Sequence, residues 1–233
     1  MRRIAKRQEP ESLREYRESL TGPLPDENIW GPYQPKNDAR DLVTQEQREL
    51  CAFCQGRMNR RKTRIKLAHI VPQKVLVDGM RMDLVWTNIV GACNGGERTP
   101  GHLQHCDTRQ ANRRLLPELD PVQFANGSLD YDEYGGVYRA DGNLDIQDQL
   151  DDVLGLNLDH IKEKRVAALR VFQSELAESA DRERWLQERI ALLDPDNPSD
   201  APLLEYADFL LWHLRYGKLS ALAKVSQMGN GLP

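Results

Sequence analysis

No run of apolar residues in this 233-residue chain is long enough to cross a bilayer, which predicts a protein without a membrane span. Cysteine is scarce, at four. A chain of this length must therefore rely on a hydrophobic core rather than a disulfide lattice. Internal repeats and low-complexity tracts are missing too, which argues against a solenoid and against wholesale disorder. The opening Met1-Arg-Arg-Ile-Ala-Lys-Arg is charged with no apolar run behind it, unlike a secretory signal. Together these absences predict a cytoplasmic protein, where thiols stay reduced and four cysteines serve metal binding or chemistry.

What is present is the composition of a globular protein, 39% hydrophobic and 29% charged, with enough proline and glycine for many turns. The net charge of −4 conceals an asymmetry. Residues 1–116 hold 21 basic and 14 acidic side chains, a balance of +7, and the remainder holds 11 and 22, a balance of −11. The first part can meet a polyanion, whereas the second is suited to solvent or protein.

The pattern divides the chain into four stretches. Residues 1–50 form an N-terminal arm with a short helix from Glu11 after Pro10, a Pro/Gly-rich loop over 21–37 and a second helix over Asp41–Leu50. Residues 51–116 concentrate the cysteines and most of the basic residues. Within them Lys66–Pro72 and Asp83–Val90 read as two strands, and Asp107–Leu116 as a polar helix. Residues 117–145 contain a hairpin around Gly135-Gly136. Residues 146–233 carry a helical period through Leu158, Ile161, Leu169, Phe172 and Leu176, then helices over Arg182–Leu193 and Leu203–Tyr216. The last of these is apolar over more than one face, so it is either buried all round or offers a face to a partner. The expected class is α+β, with a small strand–strand–helix unit holding the chemistry and a mainly helical C-terminal region.

Cys51-Ala-Phe-Cys54 is a C-x2-C turn, which places two thiolates on one side of a tight loop. Cys93 and Cys106 can complete a tetrahedral structural zinc site, although their spacing is wide and His105 or His102 can replace Cys106 chemically. His69 is the candidate general base, because neutral imidazole accepts a proton near physiological pH. Asp107 is the candidate oxygen ligand for a hard cation, Mg2+ or Mn2+. Asn88 has an amide able to fix the loop that carries His69. Arg57, Arg60, Arg61, Lys62, Arg64 and Lys66 put six positive charges between the C-x2-C turn and His69, suited to a nucleic-acid backbone.

Leu50-Cys-Ala-Phe-Cys54, Ala68-His-Ile-Val-Pro-Gln73, Trp86-Thr-Asn-Ile89, Cys93 and His105-Cys-Asp107 stand in the order of an HNH nuclease. The chain resembles the HNH endonucleases associated with retrons and with the Septu anti-phage system. The likeness extends through the Met1-Arg-Arg-Ile-Ala-Lys start with Pro10 and Leu13, Asp130-Tyr131, Gly135-Gly136, Leu156-Asn-Leu158 and Arg165. No single element is specific, but their order and spacing together are. The resemblance implies a ββα-metal core with a zinc knuckle and cleavage of nucleic acid, DNA rather than RNA. His69, Asn88 and Asp107 would be its catalytic residues, and His105, His102 or Gln110 can add a further ligand to the catalytic cation. It also implies an ABC-like ATPase as partner in a defence complex. One departure stands out: HNH proteins commonly place a metal ligand immediately before the base, and here that residue is Ala68. A zinc module that binds nucleic acid without cleaving it, or a structural subunit of such a complex, is the alternative.

Overall fold

The computed structural model describes residues 1–20, 29–58, 65–73, 75–77 and 80–229. The chain is α+β, and its strands pair only in twos among the described residues. Strand β1 (Lys66–His69) lies antiparallel to β4 (Ile89–Ala92), with Lys66 opposite Ala92 and His69 opposite Ile89. Between them, β2 (Leu76–Val77) and β3 (Met80–Arg81) make a small hairpin. Further on, β5 (Leu129–Tyr131) pairs with β6 (Val137–Arg139) around the expected glycines. No helix among the described residues is long and apolar enough to cross a membrane.

Helix α1 (Glu11–Ser19) starts after Pro10 as its sequence predicts. Helix α2 differs from expectation: it spans Lys36–Glu46, starting directly after Pro35, whose fixed φ suits a helix start. It stops short of Leu50 because Arg48 and Glu49 take positive φ values that steer the chain into the first cysteine. The second strand also falls later than expected. Trp86–Asn88 forms a single 3-10 turn, and pairing begins at Ile89. The helix expected over Asp107–Leu116 shortens to α3 (Cys106–Gln110), because Ala111 leaves helical geometry with φ 51° and ψ −116°.

The C-terminal region carries α4 (Leu144–Asp148), which widens into a π turn over Gln149–Val153, then α5 (Asp159–Glu178) and α6 (Arg182–Leu193). Helix α7 begins at Ala207 rather than Leu203 and ends at Arg215; α8 (Lys218–Gly229) follows beyond Gly217. The missing turn of α7 has a cause. The Leu203 N–H donates to the Arg48 carbonyl at 3.1 Å and the Tyr206 N–H to the Gln55 carbonyl at 3.0 Å, so this stretch runs against the cysteine turn instead of coiling. Helix α7 packs against α5, α6, α8 and β5, which bury Phe209, Leu210, Leu211 and Leu214. The apolar residues of α7 are thus taken up within the chain, while Leu204 and Tyr216, at the ends of the expected segment, are exposed.

One buried cluster runs from Met1 through Tyr33, Phe53, Ile89, Phe124 and Leu154 to Phe209 and Ala223. The N-terminal arm is built into it. The Ile4 N–H donates to the Pro121 carbonyl at 2.8 Å. Lys6 Nζ meets Glu46 at 2.6 Å, reaches the Ile89 carbonyl at 2.9 Å, and lies 3.7 Å from the centre of the Trp86 ring. Trp86 is therefore a core residue.

The β5–β6 turn gives a direct test of this packing. Gly135 has φ +84°, a Cβ there would lie 2.4 Å from the Lys162 carbonyl oxygen on α5, and its own carbonyl accepts from the buried Arg165 at 2.7 Å. Gly135→Ala should therefore destabilise the protein by roughly 2 kcal/mol or more. Thermal unfolding with an unchanged midpoint would mean that the turn and α5 are not in contact.

Candidate metal centre and histidine loop

The C-x2-C turn closes by its own backbone. The Cys51 N–H donates to the Gly56 carbonyl at 2.9 Å, and the Gln55 N–H donates to the Cys51 carbonyl at 3.1 Å. Gln55 takes φ 62° to make the reversal, and the Gly56 N–H points at Cys54 Sγ, 3.4 Å away. Cys93 follows the end of β4, and Cys106 opens α3. The loop between them folds back on itself, with the His105 N–H on the Gly95 carbonyl at 3.0 Å and Thr108 Oγ1 on the Asn94 carbonyl at 2.8 Å. The Cys106 N–H donates to the Leu154 carbonyl at 2.8 Å, tying the fourth cysteine to the helical region.

These segments bring all four sulfurs within 4.8 Å of one another. Cys51 Sγ and Cys106 Sγ are 3.8 Å apart, as are Cys54 Sγ and Cys93 Sγ. A tetrahedron of zinc–sulfur bonds near 2.3 Å has edges of about 3.8 Å, so the sulfurs fit a zinc ion without rearrangement. The cysteines are free thiols. Their titration is that of a crowded anion site. Burial would raise Cys51, yet hydrogen bonds from Cys106, Cys54 and Cys93 bring it well below the usual thiol range. Burial and the sulfurs of Cys51, Cys54 and Cys93 push Cys106 well above it. The Cys51 thiolate forms at the expense of Cys93 and Cys106, and a divalent cation would relieve that conflict.

His105 and His102, the alternative ligands, lie outside the tetrahedron. His105 Nε2 is 3.6 Å from Cys93 Sγ, at hydrogen-bonding range, and its Nδ1 faces His160 Nε2 at 3.4 Å. His102 is exposed in the loop.

His69 closes β1 with 8% of its surface exposed. Its Nε2 lies 3.0 Å from the Asp83 carbonyl, and Gln73 Nε2 lies 3.2 Å from its Nδ1. The tautomer with the proton on Nε2 satisfies both bonds, donating to the carbonyl and accepting from the Gln73 amide. The edge of Trp30 packs on the ring at a centroid distance of 4.9 Å. Burial lowers the pKa below its ordinary value, against a smaller opposing effect of the Asp83 carbonyl. The ring is neutral at pH 7.

Asn88 secures this loop with its whole amide. Its Oδ1 accepts from the Val71 N–H at 2.7 Å, while its Nδ2 donates to the Val71 carbonyl at 3.0 Å and the Met82 carbonyl at 2.9 Å. Gln47 does the same for β4. Its side chain exchanges two bonds with Gly91, at 2.6 and 2.8 Å, and reaches the Leu50 carbonyl at 2.7 Å, joining strand to cysteine turn. Gln47 does not stand out in the sequence, because an isolated glutamine has no periodicity or spacing to mark it, and Gln73 closes the Ala68–Gln73 segment without a role assigned to it.

Asp107 sits in the first turn of α3 without capping it. Lys66 Nζ lies 3.6 Å from its Oδ2, and burial raises its pKa against the lowering effect of that lysine. Gln110, one turn on, is 1% exposed and donates to the Ile70 carbonyl at 3.1 Å, leaving its own amide oxygen without a partner. Among the described residues the four sulfurs are the one group of three or more Cys, His, Asp or Glu ligands. Of the six basic residues, Arg60, Arg61, Lys62 and Arg64 lie outside the described residues. Arg57 is engaged inside the protein, with Glu49 at 3.1 Å and the Leu203 carbonyl at 2.5 Å.

Comparison with protein-family models and with curated proteins gives no match for the chain.

Protein prepared without added zinc should carry close to one zinc per chain by elemental analysis. Cys54→Ser should lower both zinc occupancy and the melting temperature, since zinc binding is part of the folding free energy of such a site. A melting curve indifferent to that substitution would remove the metal from the account.

Proposed function

We propose that the chain is a metal-dependent HNH-type endonuclease that hydrolyses nucleic-acid phosphodiester bonds, DNA in preference to RNA, with His69 as general base. The observation that carries this reading is the imidazole geometry. A backbone carbonyl holds Nε2–H, so the Nδ1 lone pair, which accepts from the Gln73 amide, is the basic position. Asn88 fixes the loop on which this nitrogen depends.

In this reading an attacking water takes the place of the Gln73 amide and gives its proton to Nδ1, while the Asp83 carbonyl keeps the resulting imidazolium oriented. Asp107 would hold Mg2+ or Mn2+, with the orphaned amide oxygen of Gln110 as a second hard donor. Such a cation, when bound, stabilises the charge on the leaving oxygen. The strand pair β1–β4, the loop and α3 supply the scaffold of a ββα-metal core, braced by the zinc centre.

Resemblance alone supports the further reading that the chain is the nuclease subunit of an anti-phage complex with an ABC-like ATPase. A cytoplasmic location suits its free thiols. The second reading, a zinc module that binds nucleic acid without cleaving it, is favoured by Ala68, which is buried and offers no ligand where HNH proteins place one.

The test is cleavage of plasmid, single-stranded DNA and tRNA by the zinc-loaded protein with Mg2+ or Mn2+. His69→Ala should remove activity while leaving zinc content in place and the protein folded, with a lower melting temperature from the lost contacts to Asp83 and Trp30; a variant that still cuts would refute the assignment. Because the folded pKa of His69 is depressed, neutral base persists into acid, so the acid limb of the cleavage rate should lie below pH 6.5. Ala68→Asp should lower the metal concentration needed for cleavage, and an unchanged metal requirement would mean that another residue fills that place.

A further inference from the structure

We propose that the Lys66 ammonium is the resident counter-cation of Asp107, so that a divalent ion enters this place only by displacing it. The inference rests on the reading of Asp107 as cation ligand and concerns what guards that ligand. Lys66 Nζ lies 2.9 Å from Thr108 Oγ1, 3.6 Å from Asp107 Oδ2 and 3.6 Å from Glu97 Oε1. It is a cation ringed by three oxygens contributed by α3 and the preceding loop.

Strand alternation puts Lys66 on the same side of β1 as Ala68. The side chain at 68 adds no negative charge there, and the one at 66 adds a positive charge. The result is a carboxylate already neutralised by its neighbour, next to Glu97, which is 58% exposed and contributes little. A divalent ion approaching Asp107 meets an ammonium 3.6 Å from the same oxygen, and the two cations cannot share it without strong repulsion.

A separate observation points to a cation rather than to a finished ion pair. Gln110 stands three residues after Asp107, on the same face of α3. Its side chain is buried, and its amide oxygen has no hydrogen-bond partner. Buried amide oxygens are normally satisfied. Its amide nitrogen is taken up by the Ile70 and Arg113 carbonyls, and a hard cation on the Asp107 face of α3 would supply the partner that the oxygen lacks.

The experiment is direct Mn2+ binding to the zinc-loaded full-length chain, read from the free-ion electron paramagnetic resonance signal with no nucleic acid present. Lys66→Gln should bind Mn2+ about tenfold more tightly than the unmodified protein. In the Asp107→Asn background the same change should give no such gain. Zinc content and melting temperature verify the fold, and Lys66→Met serves if the glutamine variant is unstable. Equal or weaker binding by Lys66→Gln overturns the proposal, as does a gain that survives Asp107→Asn or a lack of Mn2+ binding by any variant. Cleavage is not measured, so this failure is distinct from a failure of His69 as the base.

Discussion

Four sulfurs drawn from the turn after α2, the end of β4 and the start of α3 meet within 4.8 Å, although Cys51 and Cys106 are 55 residues apart in the chain. Strand pairing contributes little to that meeting, which rests on the buried cluster that takes in Cys51, Cys54 and Cys106 and on backbone bonds such as Cys106 N–H to Leu154. Among the described residues the strands pair in twos and are two to four residues long, and isolated pairs of that length have little stability of their own. Thiols packed this closely also oppose one another, since each thiolate that forms raises the cost of the next. A shared zinc ion would turn that opposition into four bonds. The rest of the candidate site is connected to those four cysteines.

The connections are short. Cys93 is one residue beyond β4, whose first residue lies opposite His69. Gln47 and the Ala52 N–H both bond Gly91, so the cysteine turn grips the middle of the same strand. Cys106 precedes Asp107 directly. The candidate base and the candidate cation ligand are thus each within a few residues of a cysteine or of its strand partner, and a rigid centre fixes both. The helical region is part of this brace rather than an appendage. Leu154 holds the Cys106 N–H, and the stretch Leu203–Tyr206 pairs with Arg48 and Gln55 on either side of the first two cysteines.

The sequence was legible where chemistry concentrates in few residue types. The C-x2-C turn, the two later cysteines, the hairpin at Gly135-Gly136 and the helices from Asp159 and Arg182 can all be read from spacing and period. Boundaries set by tertiary bonds could not be read. Trp86–Asn88 turns rather than extends where the Asn88 amide is spent on Val71 and Met82. Asp107–Leu116 loses half its helix at Ala111, and α7 starts late because its first residues pair with the cysteine turn. The candidate site was half visible. His69, Asn88 and Asp107 could be named, but the Gln73 amide on Nδ1, the Gln47 clamp on Gly91 and the Lys66 contact with Asp107 exist only through contacts between segments. Arg57 and Lys66 of the basic run meet acidic partners, Glu49 and Asp107, in partly exposed ion pairs.

If the zinc centre is the brace on which this site depends, its ligand set is the quantity to measure. Zinc K-edge X-ray absorption on the purified chain reads that set directly. Four sulfur neighbours at about 2.3 Å, with no nitrogen shell, are the expected result. Three sulfurs with one nitrogen near 2.0 Å would bring His105 or His102 into the tetrahedron and release one cysteine. That outcome would contradict the arrangement from which the positions of β4, α3 and the histidine loop have been derived.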